Sequence, residues 1–142
     1  MSSLSFPDIN VWLALLRADH IHRESALRWW ESNKSDVVAF CRLTQLGVLR
    51  LLTTAAAMNN KPLNMPEAWR AFDRLFEDDR VAVMSEPHLL EPSFRQFSAV
   101  RNSSPKVWAD AYLLAFAAGS NATFVTFDKA LSNRGARCLL LA

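Results

Sequence analysis

The sequence predicts an α/β fold, a three-layer α/β/α sandwich around a central, mainly parallel sheet, and three observations predict it. Short β-rich runs at 37–41, 81–84 and 122–127 are separated by longer segments with helical periodicity. These runs are apolar almost throughout instead of alternating, as strands covered on both faces are. The composition, 51% hydrophobic and 21% charged with three glycines and six prolines in 142 residues, fits one domain around one dense core and excludes a disordered or fibrous chain.

Taken in order, residues 3–6 alternate polar and apolar up to Pro7 and read as a first strand, which leaves Asp8 at its carboxyl end. Apolar residues then run nearly unbroken over 9–16, and recur at helical spacing as Ile21, Ala26, Leu27 and Trp30. This predicts two helices split near Ala18 and Asp19. A second strand is expected at 37–41. A helix follows from about Leu43 to Ala57, stopped by Asn59, Asn60 and Pro62, and another over 66–77 with Pro66 in its first turn. A third strand at 81–84 leads to a helix over 89–100. The next helix is expected to use Ser104 as N-cap and Pro105 as first residue, to carry Asp110 in its second turn, and to end at Gly119. The strand at 122–127 presents Asp128 at its carboxyl end, and a short helical stretch leads to a last strand at 136–140.

Several function classes fall away. The longest apolar runs, 11–16 and 111–119, are well short of the roughly 20 residues that span a bilayer, and no charged-then-apolar leader opens the chain. No membrane association and a cytoplasmic location are therefore expected. Cys41 and Cys138 lack CxxC or Cys/His spacing and read as small buried thiols. The formal charge of +2 conceals a bias to arginine, with Arg17, Arg23, Arg28, Arg42 and Arg50 early in the chain. Guanidinium groups suit phosphate but equally suit solvated helix faces.

Open parallel sheets bind ligands beyond the carboxyl ends of their strands. Asp8 and Asp128 fall at such ends, although each could also cap the helix that follows it. Asp110 lies on an apolar helix, where an unpaired carboxylate is costly to bury. Converging carboxylates repel one another unless a hard cation such as Mg²⁺, with Mn²⁺ as substitute, is held between them. Such a cluster can cleave phosphodiesters without a serine or histidine nucleophile.

The motifs carry a resemblance. Phe6-Pro7-Asp8-Ile9-Asn10-Val11 looks like the opening motif of the PIN-domain ribonucleases, Asp110-Ala111-Tyr112-Leu113-Leu114-Ala115 resembles their second aspartate motif, and Thr126-Phe127-Asp128 resembles their Thr-x-Asp motif. His20 to His22 followed by Ala26 to Trp30 is similar to the second helix of the VapC toxins. The resemblance implies a single PIN domain over 1–142, acting as a Mg²⁺-dependent endoribonuclease toxin on structured RNA such as tRNA or rRNA. It further implies a homodimer and a cognate VapB-like antitoxin whose tail blocks the acidic cleft. Asp8, Asp110 and Asp128 become catalytic and metal-binding, with Asn10 and Thr126 in support. One residue departs from the pattern: Gln45 stands where the family usually has an acid, and is assigned a supporting role through its carbonyl oxygen. Lys106, Arg134 and the arginines near the first two helices are candidates for gripping phosphates.

Two alternatives accompany this reading. One is a degenerate PIN domain that binds RNA or protein without cleavage, kept open by Gln45. The other, an aspartate-based phosphotransfer domain, wants a second acid close to Asp8, which this sequence lacks. His20 and His22 are expected to pack and not to ligate, and one of Trp29 and Trp30 is expected to be exposed as an interface anchor.

Overall fold

The computed structural model describes residues 3–135 and 137–142. β1 (Leu4–Pro7) is the middle strand of a five-stranded sheet, flanked on one side by β2 (Val37–Phe40) and β3 (Val81–Val83) and on the other by β4 (Thr123–Thr126) and β5 (Cys138–Leu140). All four pairings are parallel, and Ser5 is in register with both Val38 and Thr123. Ala136, expected to open the last strand, lies outside the described residues.

Among the described residues, seven α-helices complete the sandwich. α1 (Ile9–Leu16), α2 (Arg23–Ser32), α3 (Arg42–Leu52) and α4 (Met65–Arg74) bury Trp12, Trp29, Val48 and Phe72 with Val38, Phe40 and Val125 of the sheet. α5 (Leu90–Phe97), α6 (Lys106–Gly119) and α7 (Lys129–Ser132) bury Leu90, Phe116 and Leu131 with Phe6, Ala39 and Phe124. Neighbouring strand residues point to opposite layers, so the short apolar strands supply both cores. Trp12 stacks on Phe40 at 3.9 Å and Phe6 on Phe116 at 4.8 Å between ring centroids, one aromatic pair anchoring each layer.

Several boundaries differ from expectation for local reasons. The helix expected to reach Ala57 stops at Leu52, because the hydroxyls of Thr53 and Thr54 donate back to the carbonyls of Leu49 and Arg50 and draw the chain into a separate 3-10 turn at Ala55–Met58. The one expected over 66–77 starts at Met65, where Asn64 and Glu67 form a reciprocal capping box, and tightens into a 3-10 turn at Leu75–Glu77. Lys106 opens α6 with Pro105 in the cap position, one residue later than expected; the Ser104 carbonyl, not its hydroxyl, takes the first turn's Val107 N–H.

Neither Trp29 nor Trp30 is exposed. Trp29 is buried, and the Arg80 guanidinium lies 4.5 Å over the Trp30 ring while donating to the carbonyls of Trp30 and Asn33. No helix among the described residues is long and apolar enough to cross a membrane.

Candidate active site

From β1 the chain winds outward through β2 to β3, then returns past β1 to β4 and continues to β5. The winding direction therefore reverses between β1 and β4, which opens a crevice beyond their carboxyl ends. A cavity of about 330 Å³ lies there, with Asp8, Asn10, Asp110 and Asp128 among the residues lining it.

Asp8 follows β1 and is pinned at three points. Its N–H donates to the Val125 carbonyl at 2.8 Å, Oδ1 accepts from the Ile9 N–H at 2.7 Å, and Oδ2 accepts from the Thr126 hydroxyl at 3.0 Å. It is thus the N-cap of α1 as well as part of the cavity wall. Burial pushes its carboxyl above the ordinary value; the bonds from Ile9 and Thr126 pull it back, and the charges of Asp110 and Asp128 push it up again.

Thr126 is fully buried at the end of β4. Its one hydroxyl proton goes to Asp8, and its oxygen accepts the Asp128 N–H at 3.0 Å. A single hydroxyl therefore fixes the side chain of one acid and the backbone of the other. Asp128 in turn caps α7, with Oδ1 accepting from the Leu131 N–H at 3.1 Å.

Asp110 is set differently. The first turn of α6 is largely solvated, with Trp108 62% exposed, and burial along the helix begins at Ala111. The carboxylate is consequently half-buried, not sunk in the apolar face as the sequence implied, and among the described residues it has no hydrogen-bond partner. Burial still raises its carboxyl above the ordinary value; Lys106 one turn earlier opposes this, Asp128 adds to it, and Arg134 opposes it.

The remaining predicted residues divide. Asn10 and Lys106 are exposed and line the cavity. Gln45 does not line it: it is buried on the core face of α3 with Thr44 and Val48, and its Oε1 accepts from Arg42. Arg134 lies near enough for its charge to act on Asp110, but its guanidinium donates to the Phe97 carbonyl. Of the arginines near the first helices, Arg17 donates to the Ala57 carbonyl and to Asp19, Arg23 donates to the Leu15 carbonyl, and the exposed Arg28 pairs with Glu24. His22 stacks on Phe127 at 4.3 Å, bracing the segment between Thr126 and Asp128.

Three cavity residues on α3, Gly47, Arg50 and Leu51, were not placed at the site by the sequence reading. At Gly47 a Cβ would meet Ile9 Cδ1 at 2.4 Å, so any larger residue would require the Ile9 side chain to move away from α3. Arg50, one turn on, also lines the cavity. The signal available was the i, i+3, i+4 spacing that puts all three on one helix face.

Residues 5–136 match the PIN domain, and the chain belongs to that family. Within it, the chain is similar to two ribonucleases of Mycobacterium tuberculosis. It is 40% identical to Ribonuclease VapC41 over 133 residues, covering 90% of this chain and 91% of that one, and 30% identical to Ribonuclease VapC44 over 132 residues, covering 88% and 86%. The fold superposes on VapC20 of the same organism, described as a Sarcin-Ricin loop cleaving toxin, with a TM-score of 0.67 at 23% identity over 94% of this chain and 95% of that one. It superposes on FitAcB from Neisseria gonorrhoeae with a TM-score of 0.60 at 19% identity over 96% of each. At those identities the structural likeness is one of fold.

Proposed function

We propose that this chain is a metal-dependent endoribonuclease, the toxin of a VapBC-type pair, with Asp8, Asp110 and Asp128 as its catalytic acids. One observation carries the reading: carboxylates from three separate elements line one cavity at the switch point of the sheet, in a chain 40% identical to a ribonuclease over 90% of its length.

The lining suits a hard divalent cation. Its donors are carboxylate oxygens with the Asn10 amide beside them, and neither histidine nor cysteine lines the cavity. Among the described residues no three acidic, histidine or cysteine side chains form a ready-made cluster around one ion. Mg²⁺ keeps several waters and binds through one or two carboxylates, so it does not need all three acids on the ion. When bound, the ion supplies charge neutralisation for the phosphate and an acidified water for in-line attack.

The chain's own residues do the rest. Thr126 keeps Asp8 and Asp128 in fixed relation, and the cap bonds to Ile9 and Leu131 orient both carboxylates. Gln45, with its oxygen engaged by Arg42, supports the site by holding the base of α3. Lys106 offsets the acids from the solvent side and meets the RNA backbone. The same reading carries a structured RNA, transfer or ribosomal, as substrate, a VapB-like antitoxin as partner and a homodimer as the assembly.

The test is cleavage of total bacterial RNA by antitoxin-free protein with Mg²⁺ or Mn²⁺, with EDTA, and with Asp8→Asn and Asp110→Asn variants. Discrete fragments that vanish with chelator and in either variant are expected. Binding of RNA and metal with no cleavage across a broad RNA panel would replace this reading with a binding-only PIN domain.

A further inference from the structure

The cavity has cationic walls that its acids do not use up. Arg50 stands on the last turn of α3, in the layer of α1 to α4, and Lys106 opens α6 in the other layer. Both are exposed, both line the cavity, and among the described residues neither side chain makes an ion pair or a hydrogen bond.

Four other arginines are committed elsewhere: Arg17 and Arg23 to backbone carbonyls, Arg42 to Gln45, and Arg134 to the Phe97 carbonyl. Arg50 alone of these five keeps all its guanidinium donors, and Gly47 one turn before it packs on Ile9, where the α3 and α1 walls of the cavity meet. Its backbone is held firmly, because the Arg50 carbonyl accepts from the hydroxyls of both Thr53 and Thr54. A cation in the last turn of a helix also relieves the helix dipole. That benefit requires only charge near the helix end and not a guanidinium turned into a cavity.

An RNA strand brought to three carboxylates is repelled unless cations meet its phosphates first. We infer that Arg50 is a phosphate-binding residue of the nuclease site, gripping the RNA backbone from the α3 wall while Lys106 meets it from the α6 wall, so that one phosphodiester is held over Asp8, Asp110 and Asp128. A planar fork takes two oxygens of one phosphate, which fixes orientation where an ammonium supplies charge alone. This rests on the ribonuclease reading above and adds to it a substrate-positioning residue.

The experiment compares wild-type protein with Arg50→Ala, Arg50→Lys and Lys106→Ala, using a mixed-sequence single-stranded RNA oligonucleotide as probe. Cleavage is followed over a range of RNA concentrations, and binding of the same oligonucleotide to an Asp110→Asn background is followed over a range of salt. Arg50→Ala is expected to raise KM roughly tenfold with a much smaller change in kcat, as loss of a charge-assisted bond to substrate does. It should also lower the slope of log affinity against log salt by about 0.7, the signature of one lost phosphate contact on a single strand. Arg50→Lys should restore the slope but only part of the KM. Melting temperature and circular dichroism are measured alongside, because a residue that only relieves the helix dipole would move the melting point and leave the slope alone. A wild-type slope with a wild-type KM in folded Arg50→Ala overturns the inference and leaves the ribonuclease reading standing. Failure of the wild-type protein to bind or cut total bacterial RNA, structured RNAs included, overturns both.

Discussion

The two strand-end acids and the helix acid reach the same cavity by opposite means. Asp8 and Asp128 are bound into the framework: each caps a helix, and the Thr126 hydroxyl links the side chain of one to the backbone of the other. Asp110 hangs from the second turn of α6 with no hydrogen bond among the described residues, and only the helix backbone decides where it points. A carboxylate already bonded in place loses little freedom when it acts, whereas a free one must be ordered by what it binds. The comparison gives a fixed half and an adjustable half to the same site.

The largest expected effect should not distinguish the halves. Asp8→Asn and Asp110→Asn are each expected to lower RNA cleavage by about a thousandfold or more, read as initial rates under saturating Mg²⁺, because each removes a carboxylate charge that would hold the divalent cation at the site. Cleavage surviving in one of them would mean that its half is dispensable. A sharper probe is Thr126→Val, which keeps the shape and deletes the shared hydroxyl. It should cost roughly ten- to a hundredfold in kcat through misplacement of Asp8 and Asp128 together, and the loss should be much smaller when either of those acids is already mutated.

Stability should split the halves by sign. Asp8→Ala forfeits an N-cap and leaves the buried Thr126 hydroxyl without its acceptor, so a loss of about 1–2 kcal/mol is expected in urea titrations without metal. Asp110→Asn gives up no hydrogen bond and relieves a half-buried charge repelled by Asp128, so the metal-free protein should melt a few degrees higher. Adding Mg²⁺ should erase or reverse that gain, because the ion stabilises only the form that binds it.

The smallest effect is the pH dependence of the same group. Burial raises the Asp110 carboxyl, so the folded chain holds that proton to a higher pH than the unfolded chain does. Within the window between the two values the folded state carries more protons, and stability of the metal-free protein falls as pH rises. Asp8 contributes in the same direction, since its carboxyl is also raised. The difference in melting temperature between wild type and Asp110→Asn should therefore shrink as the pH is lowered through the carboxylate range.

The fixed half was the more legible in the sequence. A short alternating run ended by Pro7 and Asp8, and an apolar run ended by Thr126, Phe127 and Asp128, announce strand ends that carry acids, and the local pattern is enough to read them. Even the double duty of Asp8 as cap and cavity wall follows from its place between a strand and a helix. The fold class was legible for the same reason: strands this short and this apolar need a layer of helix on each face. What escaped depends on partners distant in sequence. Nothing near Arg17 indicates that it will bond to the Ala57 carbonyl, and nothing near Trp30 indicates that Arg80 will cover its ring. Arg50 was one arginine among many until the others had found their carbonyls. The solvated first turn of α6 was hidden by its composition, because Val107 and Trp108 look like core residues and Trp108 is exposed.

The bond from Thr126 to Asp8 spans 118 positions of the chain. On a ribosome the amino-terminal part of the site is made first and waits, because Thr126 is added 118 residues after Asp8. Until β4 pairs with β1, Asp8 lacks both the Val125 carbonyl and the Thr126 hydroxyl, and the crevice does not exist. An enzyme that destroys RNA therefore has no assembled crevice until β4 is made and paired, and the strand that arms it is encoded far downstream of the acid it fixes.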